Sequence, residues 1–166
     1  MDVVKRDRFS LLLLEPSEIY FEDYSAVYYP SGADSDNFSQ KGRLKLCSKS
    51  VVFEPQAVES PLVRIPLKSC ASVSEGKDVG SGAKSALVID SDLAIEMLAK
   101  NVPGPYVFRK QPRRHVFELT FAKVEFCMPK LRQVHQAAVF LSPVEQSTMV
   151  RWIFEFGMFS RFQVEE

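Results

Sequence analysis

Positive charge is concentrated in one short segment of the sequence. Within seven residues around Pro112 lie Arg109, Lys110, Arg113, Arg114 and His115. The proline predicts a hairpin turn, from which four full positive charges would project into solvent. Anionic phospholipid headgroups are natural ligands for such a turn, because each basic residue near a membrane surface contributes about 1 kcal/mol. Arg109, Lys110, Arg113 and Arg114, named the basic segment below, are therefore candidate lipid or anion contacts, although a solvated turn without a ligand explains them equally well.

A second, sparser basic set follows the strongest β-hairpin pattern of the sequence. Over residues 43–53 apolar and polar residues alternate, a Ser-Lys-Ser turn follows, and a β-branched and aromatic run completes the pattern. Successive side chains of a strand point to opposite faces. Arg43 and Lys45, together with Lys49, are therefore predicted on an exposed secondary basic face.

Residues suited to catalysis or metal binding are scarce. Neither His115 nor His135 has a second metal-ligating residue at helical or hairpin spacing. Cys127 and His135 have the chemistry of a nucleophile and a base, but a proline and a helix start separate them and no orienting third group is evident. We expect no enzyme, no catalytic residues, no metal and no cofactor.

Composition narrows the class of protein. The chain has 166 residues, 46% of them hydrophobic, which suits one domain that buries roughly two thirds of its unfolded surface. Twenty-one basic residues balance twenty-one acidic ones, so no global field attracts nucleic acid. The three cysteines form no Cys-x-x-Cys pair, which suggests buried, reduced thiols in the cytosol. The longest aliphatic run, residues 11–14, is far too short to span a membrane.

Strand patterns fill residues 8 to about 122 and predict an antiparallel sheet. They lie at residues 9–14, 19–29, 43–47, 51–53, 62–65, 86–89, 93–98, 106–109 and 115–121, with polar connections at residues 31–40 and 74–85. Pro66 argues against a fully paired central position for the run that it ends. Residues 93–98 suit either a short helix or a strand, and the antiparallel context favours a strand.

The end of the chain changes to helical periodicity. Pro129 suits a first helical position, and apolar residues then recur at three- and four-residue steps, which predicts a helix over about 129–141. Ser142 and Glu145 form a capping box ahead of a second helix over 143–156. Its predicted apolar face consists of Val144, Met149, Trp152, Ile153 and Phe156.

Two segments, residues 8–29 and 42–70, carry a family resemblance. The pieces RFSLLLL, YFE and LCSKSVVFEP with a trailing IPL are similar to the amino-terminal region of the FAN family (factor associated with neutral sphingomyelinase activation), whose members contain BEACH and WD-repeat domains. The resemblance implies a pleckstrin-homology-like (PH-like) module: a bent antiparallel sheet of about seven strands capped by a carboxyl-terminal helix. We expect a single such domain over residues 1–166, with one additional helix.

The resemblance also implies a function. It suggests a non-catalytic scaffold or adaptor at cytosolic membrane faces, in signalling or vesicle traffic, with receptors and neighbouring domains as partners. PH domains that bind phosphoinositides usually carry basic residues at the first hairpin turn, whereas the predicted turn here is acidic, with Glu15 and Glu18 as its solvated flanks. Two alternatives follow. Either the basic segment makes weak lipid contacts, or the module binds protein, for example a peptide added to an open sheet edge beside the last helix.

Overall fold

Strands make up most of the computed structural model, which describes residues 14–29, 39–57, 59–76, 86–97, 106–109 and 113–156. In this part of the chain the strands are β1 Tyr20–Tyr29, β2 Gln40–Cys47, β3 Ser50–Pro55, β4 Leu62–Pro66, β5 Cys70–Gly76, β6 Ala86–Ser91, β7 Ala94–Met97, β8 Tyr106–Arg109 and β9 Arg113–Leu119. Two helices follow, α1 Val124–Phe140 and α2 Pro143–Phe156. Among the described residues, neither helix combines the length and apolarity that crossing a membrane requires.

The first four strands form an antiparallel meander. The hairpin predicted over residues 43–53 is confirmed, because β2 pairs with β3 from Gly42 opposite Pro55 to Leu46 opposite Val51. β4 lies inside the sheet between β3 and β7. Its pairing with β7 ends at Arg64, so Pro66 falls beyond that ladder, as a residue without an amide hydrogen requires. The predicted first strand, residues 9–14, lies outside the described residues apart from Leu14.

The remaining described strands, apart from β5, form one long two-stranded ribbon that pairs with both edges of the meander. β6 pairs with β9, and β7 pairs with β8, along the same two stretches of chain. β9 also pairs with β1, while β7 pairs with β4. Both edges of the meander are therefore joined to one ribbon, and the sheet of nine described strands is strongly curled. The strand predicted over residues 93–98 is confirmed as β7.

β5 is a strand that the sequence patterns do not predict, because residues 74–76 belong to a polar stretch that is typical of a connection. Its sequence, CASVSEG, has few of the residues that favour strands. Six of its residues nevertheless pair with β6. Since β5 is an edge strand of the described sheet, only one of its sides requires a partner strand, and polar side chains are tolerated there.

The main core lies inside the curled sheet and is covered by α1. Tyr28 packs between Phe53 and Phe117, with ring centroids 5.0 and 4.7 Å away. Leu131 and Val134 of α1 are buried in the same core cluster as these rings. Burial of a phenylalanine at such a position stabilises a fold by about 3–5 kcal/mol relative to alanine, so this aromatic group holds the sheet in its curled form.

α1 begins five residues earlier than the sequence predicted, at Val124 rather than at Pro129. Val124, Cys127 and Met128 extend the buried stripe of the helix toward its amino end. Pro129 lies inside the helix, where a missing amide hydrogen and ring contacts usually destabilise by about 3 kcal/mol or more. Burial of these three side chains offsets that cost.

α2 follows α1 after two residues and has the predicted capping box. The amide of Glu145 donates to Ser142 Oγ, and the amide of Ser142 donates to Glu145 Oε2, both at 3.2 Å. Met149 is buried against Ala137, as its predicted apolar face requires. Val144 is 76% exposed, so its placement on that face was wrong, because this first-turn position precedes the packed part of the helix. The side chains of Trp152, Ile153 and Phe156 lie outside the described residues.

Candidate functional site

The basic segment connects β8, in the half of the ribbon formed by β7 and β8, to β9, in the half formed by β6 and β9. Arg109 ends β8 opposite Ala94, while Arg113 begins β9 opposite Ser91. The hairpin turn predicted at Pro112 lies outside the described residues. In the described part β8 pairs with β7 and β9 pairs with β6, and the stretch between β7 and β8 contains the Pro-Gly-Pro sequence. Lys110 and the side chains of Arg109 and Arg113 lie outside the described residues. Two residues separate β6 from β7 and three separate β8 from β9, so the register shifts by one residue across this point.

Arg114 is the member of the basic segment whose side chain the structure describes. It is 64% exposed, and its Nε donates to Asp90 Oδ1 at 3.0 Å across the β6 and β9 ladder. Asp90 also accepts a hydrogen bond from Ser72 at 3.0 Å. The neighbouring His115 points into the core, where its Nδ1 lies 2.5 Å from the Tyr28 hydroxyl. His115 therefore does not contribute to a charged surface with Arg114.

The secondary basic face is only partly as predicted. Arg43 is exposed and pairs with Asp23 through Nη2 and Nε, at 2.8 and 3.1 Å. Lys45 is buried, so its predicted exposure is wrong: its Nζ lies 3.4 Å from Asp23 and 3.7 Å from Glu54. Lys49, 29% exposed, lies beside the turn at residues 15–18. These cations are compensated by carboxylates that are distant in the sequence.

Of the two carboxylates predicted as solvated flanks of the acidic turn, Glu15 is exposed, whereas Glu18 is buried. The Glu18 side chain is fully buried and accepts hydrogen bonds from Arg64 at 3.0 Å and from Ser50 at 2.7 Å. Glu22 accepts from Lys130 at 2.7 Å and from the Tyr24 hydroxyl. Burial alone would raise the pKa of Glu22, but hydrogen bonds from Lys130 and Tyr24 outweigh it and lower the pKa. The hydrogen bond from Arg43, aided by Lys45, likewise lowers the pKa of Asp23.

The first hairpin of the described sheet joins β1 to β2, and it is not the acidic turn at residues 15–18. Its connection, residues 30–39, contains Asp34 and Asp36 and no lysine or arginine. The acidic hairpin turn predicted at residues 15–18 requires the strand predicted over residues 9–14, which lies outside the described residues apart from Leu14. The connection itself offers no basic residue to a headgroup, while exposed Lys41 follows it on β2.

The cysteines and histidines occupy structural positions. Cys47, Cys70 and Cys127 are buried free thiols, as predicted. Burial raises the pKa of Cys47 and Cys70 to about 12 and that of Cys127 to about 11. A thiol with so high a pKa is a poor nucleophile at neutral pH, because the thiolate is the reactive form. His135 Nε2 donates to the Cys70 carbonyl oxygen at 2.9 Å.

Two exposed phenylalanines near the start of α1 were not anticipated. Phe121 is 88% exposed and Phe126 is 68% exposed. A helix start at Pro129 left Phe126 in an undefined connection. Extending the helical stripe back through Val124, Cys127 and Leu131 would have placed Phe126 off the buried face, so the sequence held the signal.

The curled antiparallel sheet covered by a carboxyl-terminal helix is a PH-like fold. A solved structure described as "Vps36 N-terminal PH domain" matches it with a TM-score of 0.50 and 12% identity, covering 74% of this chain and 83% of that chain. The likeness concerns the fold. The family model described as "FAN protein N-terminal PH domain" matches residues 2–150. The chain belongs to this family, and the resemblance found in the sequence is confirmed.

Proposed function

We propose that this module is a non-catalytic adaptor that associates peripherally with anionic membranes through the basic segment. The proposal rests on the density of charge there: four cations lie within six residues of a chain whose net charge is zero. The 64% exposure of Arg114 supports it, because a cation must reach solvent to meet a headgroup. Membership of the FAN family supports a cytoplasmic setting in signalling or vesicle traffic, with BEACH and WD-repeat domains, or receptors, as protein partners.

The membrane contact is weak and Coulombic. Asp90 compensates part of the Arg114 charge, so the segment acts with less than its four formal charges. No stereospecific cradle is required, and binding follows the total anionic charge of the membrane more than headgroup identity. Attraction between exposed charges is screened within about 8 Å at physiological ionic strength, so salt should weaken it steeply.

Vesicle sedimentation tests the proposal. Replacing Arg109, Lys110, Arg113 and Arg114 by glutamine should remove most binding to phosphatidylserine-containing vesicles at low salt. A matched control replaces four exposed cations elsewhere by glutamine: Lys41, Lys68, Arg132 and Arg151. The control should retain most binding, although it loses the same formal charge.

Asp90 provides a test in the opposite direction. Asp90→Asn removes the carboxylate beside Arg114 and should strengthen vesicle binding at low salt, because the local charge becomes more positive. The proposal is overturned if the four-residue variant binds like the parent, or if the parent binds no anionic vesicles at low salt.

Protein or peptide binding without lipid is the alternative function, and the position of β5 favours it. In the described part of the chain β5 is one edge of the sheet. α1 passes close beside it, with His135 bonded to the Cys70 carbonyl at the first residue of the strand. An extended peptide adds to such an edge through main-chain hydrogen bonds. A parent protein that ignores anionic vesicles would leave this as the better function.

A further inference from the structure

Two large apolar side chains project where β9 passes into α1. Phe121 follows the last strand and is 88% exposed, and Phe126 lies in the first turn of α1 and is 68% exposed. We name Phe121 and Phe126 the phenylalanine tip. Most other large apolar side chains of the described chain are buried in its core clusters. Contiguous apolar patches on a protein surface mark contact sites for proteins or membranes, and Phe121 and Phe126 lie five residues apart in the chain.

Backbone hydrogen bonds next to the phenylalanine tip hold the chain in the conformation that exposes Phe121 and Phe126. The amide of Thr120 donates to the Ser25 carbonyl at 2.9 Å, and the amide of Phe126 donates to the Lys123 carbonyl at 3.0 Å. These bonds fix the end of β9 and the start of α1. On the helix, Val124 and Cys127 already occupy the buried stripe. Turning Phe126 inward would therefore expose them.

The charges near the tip are mostly compensated. Arg43, which also donates to Ser25 beside Thr120, is paired with Asp23 at 2.8 Å. Lys130, one helical turn beyond Phe126, is paired with Glu22 at 2.7 Å. Lys123 and Glu125 are exposed and opposite in sign. An attraction made by the tip is therefore apolar and should resist salt.

The size of the tip decides between the possible occupants. A phenylalanine side chain buries about 150–250 Å², so the two together offer roughly 300–500 Å². A specific protein interface buries about 1,000 Å² or more in total, which is about 500 Å² from each partner. The phenylalanine tip reaches that area only at the top of its range, so a contact between two copies of this chain would stay at or below the smallest specific interfaces. Insertion into a lipid interface has no such threshold, and stable membrane anchoring typically combines two weak signals.

We infer that Phe121 and Phe126 insert into the lipid interface and act as the apolar anchor of the module. The inference rests on the proposed function, because it gives the membrane contact a second element beside the basic segment. The two elements lie at opposite ends of β9, which has seven residues and therefore spans about 20 Å. Two separated anchors also fix the orientation of the module on the membrane.

Site-specific fluorescence tests the insertion directly. Phe121→Cys introduces an exposed thiol that takes an environment-sensitive dye, whereas the three native thiols are buried and react slowly. On mixing with phosphatidylserine-containing vesicles the dye at position 121 should shift to the blue and brighten. Phe140→Cys is the matched control, since Phe140 is 79% exposed but ends α1 far along the helix from the tip. Its dye should not respond.

A variant without a dye gives a second measurement. Phe121→Ser with Phe126→Ser should bind vesicles at least about tenfold more weakly, because it loses the burial of two phenylalanines. Phe140→Ser should bind like the parent. Unchanged thermal melting would show that the double variant is folded; should it unfold, the dye measurement on the single substitution still decides.

The outcomes separate this inference from the proposed function. If the fluorescence of the dye at position 121 does not change although the parent protein binds vesicles through the basic segment, the insertion is overturned and the proposed function stands. If the dye at position 121 responds to vesicles in a protein that also carries the four glutamine substitutions of the basic segment, the Coulombic contact is overturned and the insertion is supported. A parent that binds no vesicles overturns both.

Discussion

A buried ion pair links the turn ahead of β1 to the interior strands. Arg64 and Glu18 are 5% and 8% exposed, and Arg64 Nη2 lies 3.0 Å from Glu18 Oε2. Ser50 completes the site by donating to the other oxygen of Glu18 at 2.7 Å. The three residues come from separate parts of the chain. Breaking the pair should therefore reveal how strongly residues 15–18 are attached to β3 and β4.

Arg64→Met is the sharpest perturbation, because it keeps much of the apolar stem and removes the charge. Glu18 would then be a buried carboxylate with the Ser50 hydroxyl as its remaining donor among the bonds seen in the structure. Loss of one partner from a buried ion pair costs about 3–5 kcal/mol. Glu15, 3.5 Å from Arg64 in the parent, is itself acidic and cannot replace the arginine.

Adding Glu18→Gln to Arg64→Met should restore stability. A neutral amide can still accept from Ser50 and no longer leaves a buried charge without compensation. The double variant should therefore unfold at a higher urea concentration than Arg64→Met alone, although each substitution alone destabilises the parent. Coupling of this sign is expected between residues that share one polar site.

Urea unfolding followed by far-ultraviolet circular dichroism measures these effects. The midpoint should fall in Arg64→Met while the slope stays constant, since the surface exposed on unfolding is unchanged. A loss of 3–5 kcal/mol is a large share of the roughly 5–15 kcal/mol typical of a domain. A loss below about 1 kcal/mol, or a double variant whose loss equals the sum of the two single losses, would refute the reasoning.

Three further predictions test the sheet, its charges and its helix cap. A methyl group on Gly42 would lie 2.1 Å from the Glu54 carbonyl oxygen, so Gly42→Ala should cost roughly 1–3 kcal/mol in urea unfolding; an unchanged midpoint would contradict the β2 and β3 register. Arg43 lowers the pKa of Asp23, so its stabilisation is present above the unfolded-state pKa of about 3.9 and is lost as pH falls through the lower folded-state value. The melting temperatures of the parent and Arg43→Gln should therefore converge under acid, and a constant difference would count against the pair. Ser142→Ala should cost about 0.5–2 kcal/mol and Ser142→Asp much less, since aspartate also caps; equal losses would exclude the cap.

Local sequence patterns predicted the elements that depend on nearby residues. The capping box at Ser142 needs only residues three apart, and the hairpin over residues 43–53 needs only alternation and a turn. β5 was missed because its serines and glycine carry little strand preference, and its pairing with β6 spans a polar connection. The early start of α1 was missed because Pro129 resembles a helix start, while the burial that continues the helix depends on tertiary packing.

The sequence does not predict which charged side chains pair across the sheet. Arg64 and Glu18 are 46 residues apart, and only the fold brings them together. Lys45 was predicted to be exposed because strand alternation places it opposite the core. Lys45 is nevertheless buried on that face, and the register of β1 and β2 places Asp23 directly opposite Lys45. Alternation thus predicts which face a side chain occupies, but whether that face is open to solvent depends on the rest of the chain.

Charge available for binding therefore differs from charge counted in the sequence. Arg43, Arg64 and Lys130 each have a carboxylate oxygen within 3.0 Å, so they stabilise the fold and offer little to an external anion. Arg114 is also paired, but its side chain is 64% exposed and its partner Asp90 is shared with Ser72. A headgroup can replace the partly exposed and shared carboxylate of Asp90 at small cost, because surface ion pairs contribute only about 0–1 kcal/mol. The same exchange at buried Arg64 would leave Glu18 uncompensated, which is why we propose the basic segment, and not the buried pair, as the surface that meets an anionic membrane.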